Sequence, residues 1–255
     1  MSSASLNIGY YGKVPAHGDF ISKGLPRSFI EPWDAWLQEA IVSGRQQLGD
    51  NWLNYYLTSP IYRFVLSPGI CGRTGWSGVV MPSVDKVGRY YPMTLSVMDN
   101  QSTNPFIALE QNQACFDQLE TLILSCLEDD FILDHFEQSL SQILPAVNQK
   151  DHDTGSSSMQ ADEKKVTHAY RQSLDSPDSI SKFIPDFLDQ VLKECCFAYS
   201  VWWTLGSEHV SPSLLVCEGL PPFDGIAALF DGNWQQWGWK GRPDSLTSHR
   251  QFDIK

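Results

Sequence analysis

The sequence predicts an α/β domain, a three-layer α/β/α sandwich with a mixed sheet, formed as a single domain. Three observations predict it. Short apolar runs bounded by Gly and Pro alternate with segments whose apolar residues recur at three- and four-residue steps. Phe197 to Leu205 carries rings on both of its alternating faces, which is what a strand covered on both sides requires. The C-terminal part holds too few strands to close a core alone, so the chain of 255 residues is expected to share one.

In chain order, Leu6 to Tyr11 is the first strand, ended by Gly12, and the loop GKVPAHGDFISKGLP follows. Phe29, Trp33, Trp36, Leu37, Ala40 and Ile41 then share one helical face. Ser28 with Glu31 fits a capping box, but Pro32 fits a first helical position, so regular helix is expected from Pro32 to Gly49. Asp50 can cap a short second helix, NWLNYYL. Ile61 to Leu66, Trp76 to Met81 and Pro92 to Met98 are strands, the last two joined by the turn-rich PSVDKVGRYYP. Asn104 followed by Pro105 starts a helix that Phe116, Leu119, Ile123 and Leu127 carry onward. The acidic run Glu128, Asp129 and Asp130 suits the start of a further helix, Phe131 to Leu144, stopped by Pro145.

From 148 to 176 the sequence turns polar, with almost nothing to bury, and a mobile insert is expected there. Asp178 and Ser179 cap another helix, with Pro185 as a second candidate start. Leu214 to Cys217 is a strand and Phe223 to Phe230 a short helix.

Composition excludes several function classes. The formal net charge of -12 argues against binding nucleic acid or anionic lipid, both of which select basic surfaces. No apolar run is long enough to span a bilayer, and MSSASLNIGYYGK lacks the basic-then-apolar order of a signal peptide. The six cysteines show no C-x-x-C spacing and have apolar neighbours, so buried thiols in a reducing cytoplasm are expected.

No residue constellation makes a strong active site. His17 and Asp19 sit two apart in a Gly-Pro loop with no second ligand cluster, so a hydrogen-bonded turn is expected there rather than a metal. Ser83 and Asp85 lack a G-x-S-x-G elbow. CGRTG, at Cys71 to Gly75, lacks the Lys-Ser/Thr ending of a P-loop and suits a hairpin loop. Asp85 and Arg89 flank Gly88, whose turn can bring carboxylate and guanidinium together, either to pin the loop or to present a charged shape to a partner. Trp202 and Trp203 point to opposite sheet faces as core anchors. Trp234, Trp237 and Trp239 form either a binding patch or a packed C-terminal turn. No cofactor is expected.

The blocks GKVPAHGDFISKGLP with WDAWL, SPIYRF, GWSGVVMPSVDKVGRYYPMTL and SVWWTLGS resemble the TagF (ImpM) family associated with bacterial type VI secretion. The resemblance runs from Tyr11 to about Ser207 and implies a three-layer α/β/α fold. It implies a cytoplasmic post-translational repressor that binds the forkhead-associated scaffold protein of the secretion apparatus, without membrane insertion. Some family members carry a fused phosphatase, for which too little sequence remains here. No catalytic residues carry over. The expected partner-binding residues are His17, Asp19, Phe20, Asp85 and Arg89, with Trp234, Trp237 and Trp239 as a second patch. The alternative is a small-ligand sensor or enzyme using the loops Lys13–Asp19 and Ser83–Arg89, since loops at strand ends commonly bind ligands.

Overall fold

The structure, a computed structural model, describes residues 8–99, 104–143 and 180–241. Two N-terminal strands, β1 (Ile8–Gly12) and β2 (Ile21–Lys23), precede helices α1 (Arg27–Leu48) and α2 (Trp52–Leu57). A meander follows: β3 (Tyr62–Leu66), β4 (Gly75–Met81) and β5 (Met93–Asp99). Helices α3 (Pro105–Gln111), α4 (Gln113–Ser125), α5 (Leu133–Gln142) and α6 (Ile180–Cys195) lead to the hairpin β6 (Tyr199–Thr204) and β7 (Ser213–Glu218). The short helix α7 (Ala228–Asp231) comes near the C-terminal end.

The strands form one sheet in the order β2-β1-β5-β4-β3-β6-β7. The expected mixed sheet is corrected: every pairing is antiparallel. Most neighbours are consecutive in sequence, and hairpins and meanders are antiparallel by construction. A single-helix crossover between adjacent strands would make them parallel. Here each crossover holds more than one helix and ends beside a strand it does not directly follow.

The three layers follow from strand alternation. On β3, Tyr62, Phe64 and Leu66 face one helix layer and Val65 the other. The first core joins Phe64, Trp76 and Trp202 to Phe29, Trp33 and Trp36 of α1. Its rings are in mutual contact: Trp33 lies 4.7 Å from Phe64 and stacks on Trp202 at 5.8 Å. Full burial of a side chain such as Phe29 or Phe64 stabilises by roughly 1.5–3 kcal/mol. Gly78 leaves room for this packing. A Cβ there would meet Leu95 O at 2.3 Å and the Phe64 ring at 2.7 Å. The second core sets Val65, Val79, Leu95 and Val97 against Phe116, Leu119 and Ile123 of α4 and Phe136 of α5.

A cation inside the second layer escaped the sequence reading. Arg63 on β3 is buried and donates Nε and Nη2 to the two oxygens of Glu120, Nη2 also to Asp117 and Nη1 to Gln113. Its guanidinium lies 5.9 Å from the Phe116 ring and 6.0 Å from the Trp203 ring. The fork geometry of guanidinium makes it a clamp that docks α4 on the sheet.

Several element boundaries differ from expectation. Helix α1 starts at Arg27, and Pro32 lies inside it. Pro26 O accepts the Phe29 and Ile30 amides, and burial of Phe29 against Trp76 holds this first turn helical ahead of the proline. Pro185 is likewise inside α6. The expected helix from Asn104 divides at Asn112 into α3 and α4. Asn104 caps as expected, its Oδ1 accepting from Phe106 N at 3.0 Å. Strand β2 lies in what the sequence suggested was loop. Phe197 precedes β6 and is 92% exposed. Cys71, Cys115, Cys126 and Cys217 are buried as expected, but Cys195 is exposed at the end of α6. The insert expected at 148–176, and the caps Asp178 and Ser179, lie outside the described residues.

Candidate functional site

Two loops leave the same end of the sheet. β1 ends at Gly12 and its antiparallel neighbour β5 begins at Met93, so the segment after β1 and the segment before β5 emerge side by side. Gly12, at φ +147°, allows the approach: a Cβ there would meet Pro92 O at 2.2 Å. The second loop closes on itself through Asp85 N to Arg89 O at 3.0 Å and Gly88 N to Asp85 O at 2.9 Å. Gly88 supplies the left-handed backbone of that turn, at φ +84°.

Asp85 joins the two loops. Its Oδ1 accepts from the backbone N–H of Val87 at 3.0 Å and of Arg89 at 2.9 Å, which is an Asx-type turn. Its Oδ2 accepts from Lys13 Nζ at 2.9 Å and Arg89 Nε at 2.6 Å. Lys13 belongs to the first loop. Two further bonds cross the gap: Arg89 Nη2 donates to Gly18 O at 2.5 Å, and Lys86 N donates to His17 O at 2.9 Å. The Asp85 side chain is 0% exposed and that of Lys13 only 7%, whereas that of Arg89 is 57% exposed. Burial works against ionisation of Asp85. The Arg89 amide, the Lys13 ammonium, the Arg89 guanidinium and the Val87 amide outweigh it and hold the carboxyl well below the usual carboxylate range. Asp85 is therefore an ionised, saturated anchor, with no lone pair facing solvent.

An aromatic step borders this anchor. Phe20 stacks on Tyr11 at 5.4 Å and meets Tyr91 edge-on at 4.7 Å, with Lys13 Nζ 4.9 Å from its ring. Tyr11 and Tyr91 both donate to Asp34 Oδ1 of α1, at 2.8 and 2.6 Å. Burial and the carboxylate of Asp34 push both phenols up, so they stay protonated donors. Phe20 remains 41% exposed, and Val87, at the tip of the facing turn, is 69% exposed. The stem of the second loop is pinned from behind. Tyr56 of α2 donates its hydroxyl to Ser83 O at 2.9 Å and accepts from Ser83 N at 3.1 Å.

Five of the expected residues thus meet in one place: His17, Asp19, Phe20, Asp85 and Arg89. His17 is half-buried with its ring 6.2 Å from that of Phe131, and exposed Asp19 accepts from Phe20 N at 2.8 Å, a local turn contact. Among the described residues no group of three or more His, Cys, Asp or Glu is arranged to hold a metal ion. The Trp cluster folds back on the domain. Trp234 and Trp239 pack on the first core with ring centroids 5.3 Å apart. Trp239 Nε1 donates to Gly225 O and Trp237 Nε1 to Asp231, both at 2.8 Å. All three rings stay half-buried. Trp202 and Trp203 take opposite faces as expected, one in each core. The Cys71–Gly75 segment lies in the β3–β4 hairpin connection, with Gly69 N bonded to Gly72 O.

From sequence, Lys13 entered only as the first residue of a candidate ligand loop, and Asp34, Tyr56 and Tyr91 were not singled out as parts of this site. Their partners lie far along the chain, and nothing local distinguishes a pairing Lys or Tyr from a surface one.

No curated protein matches the chain. Among solved structures, it is similar to the crystal structure of PA0076 from Pseudomonas aeruginosa PAO1. That chain is 33% identical with a TM-score of 0.67, and the match covers 88% of this chain and 94% of that one. No helix among the described residues is long and apolar enough to cross a membrane. The family described as TagF N-terminal domain, type VI secretion system-associated, matches residues 9–143, which include both loops and the Asp85 anchor. The match spans more than half of the chain, and the chain belongs to this type VI secretion-associated family.

Proposed function

We propose that this chain is a cytoplasmic repressor of type VI secretion that acts by binding a forkhead-associated component of the apparatus, without catalysis of its own. The observation that carries this is the Asp85 anchor. It ties two loops from different parts of the chain into one preset surface from which Phe20, Val87 and Arg89 project. Loops already ordered lose little conformational entropy on binding, so contact energy reaches affinity with less offset. An exposed aromatic and an exposed Arg are the residue types that dominate interface energetics. The competing reading is an enzyme or ligand sensor using the same loops, whose buried acid–base candidate would be Asp85. Asp85 has each oxygen shared by two donors and none of its side chain exposed, which favours the interaction reading.

The test is direct. The purified chain should bind a purified forkhead-associated component by calorimetry, and its overproduction should lower secretion without lowering the level of apparatus proteins. Saturable binding to no apparatus component, or unchanged secretion, would overturn the proposal.

A further inference from the structure

A small pocket lies behind the loops, between α1, α2, the first core face of the sheet and the α7 segment, with a cavity volume of about 50 Å3. Its walls include the rings of Trp36, Tyr56, Tyr62 and Trp202, and Pro82 and Pro92, which bracket the second loop. Every polar side chain in the wall is turned to a partner. Trp36 Nε1 donates to Pro221 O, Tyr56 OH to Ser83 O, and Tyr62 OH to Leu229 O, at 2.9–3.0 Å. Trp202 Nε1 donates to Ser200 Oγ at 2.8 Å and Ser59 Oγ to Tyr56 O at 2.9 Å.

These bonds have two consequences. They hold the rings at fixed positions, so the walls cannot collapse inward without breaking them. They also leave the interior with no polar partner for a guest. The space exceeds the roughly 10–15 Å3 that one water needs, but a buried water also needs two or more polar partners. An apolar pocket that offers water no polar partner favours an apolar guest over water. Of its wall residues, Ile41, Ser59, Pro82 and Phe230 are half-buried.

We propose that this pocket is a binding site for a small, uncharged, apolar molecule of a few heavy atoms. The guest sits against Pro82 and Pro92, at the base of the loop that carries Asp85 and Arg89. The site is independent of the partner surface proposed above.

Xenon is the probe. The full chain should give a saturable 129Xe chemical-shift change, quenching of tryptophan fluorescence through Trp36 and Trp202, and a melting temperature that rises with xenon pressure, because a native-state guest stabilises by mass action. Ala40→Val, from a buried wall position, and Val80→Ile, from the facing strand, fill the space. Each should remain folded by circular dichroism and lose most of the xenon response. A wild-type response that grows linearly with pressure without saturating would overturn the proposal. So would a response equal in both folded variants, or a crystal structure under xenon with ordered water in the pocket.

Discussion

Replacing Arg89 by Ala separates a surface that binds from a loop that merely holds itself together. The substitution removes two contacts: the 2.6 Å bond from Nε to Asp85 and the 2.5 Å bond from Nη2 to Gly18 O. Asp85 keeps three donors, Lys13 Nζ and the amides of Val87 and Arg89, so no buried carboxylate is abandoned. Because 57% of the Arg89 side chain is exposed, its ion pair is screened by water, and the loss should be about 1 kcal/mol or less. At this chain length that lowers the melting temperature by about 2–4 °C. If Arg89 is a contact residue, the Kd for the forkhead-associated component should rise about 30-fold or more, matching a hot-spot loss of at least ~2 kcal/mol. Calorimetric titration beside a thermal melt reads both quantities on one sample. A variant that melts within ~4 °C of wild type and binds within twofold of it would refute the site. A variant that loses binding only together with a large fall in melting temperature would show bracing instead.

The Arg63 clamp should be costlier to break. Arg63→Ala leaves Glu120 and Asp117 without their buried donor and is expected to lower the urea-unfolding free energy by about 2–4 kcal/mol, with Arg63→Lys recovering only part because it lacks the planar fork. Tyr56→Phe removes both hydroxyl contacts with Ser83 and should cost about 1–3 kcal/mol while speeding hydrogen exchange at the Ser83 amide; unchanged exchange there would contradict the pinning role. For Asp85 the folded-state pKa lies below the unfolded one, so its stabilisation is full above about pH 4 and is lost as pH falls toward the folded value. Wild type should therefore lose stability as pH falls from about pH 4 to pH 2 more steeply than Asp85→Asn, and equal slopes in acid titrations of the two would contradict the anchor.

The sequence by itself determined the elements whose signals are local. Trp33 to Ile41 read as one helix because three- and four-residue spacing is a property of a single segment. Asn104 read as a cap because its side chain bonds amides two and three residues away. Trp202 and Trp203 read as occupants of opposite faces because a strand alternates whatever surrounds it. The uncommon blocks around Gly18 and Asp85 also pointed to the family that residues 9–143 match.

Tertiary structure decided whatever depends on residues distant in sequence. Strand direction was one such choice: short apolar runs look alike in parallel and antiparallel sheets, and only the crossovers' return points made this one antiparallel. Burial of Phe29 against Trp76 decided that α1 begins ahead of Pro32, overriding the local preference of the proline. The candidate site divided the same way. The Asp85–Arg89 turn was legible because Gly88 and a four-residue spacing announce it. Lys13, 72 positions from Asp85, carries no local mark of its partner. The same holds for Asp34, which accepts from Tyr11 and Tyr91 across 23 and 57 positions. Charge and hydrogen-bond complementarity act over a few ångströms in space, so the pairings exist only once β1 and β5 lie side by side and bring the loops to one end of the sheet.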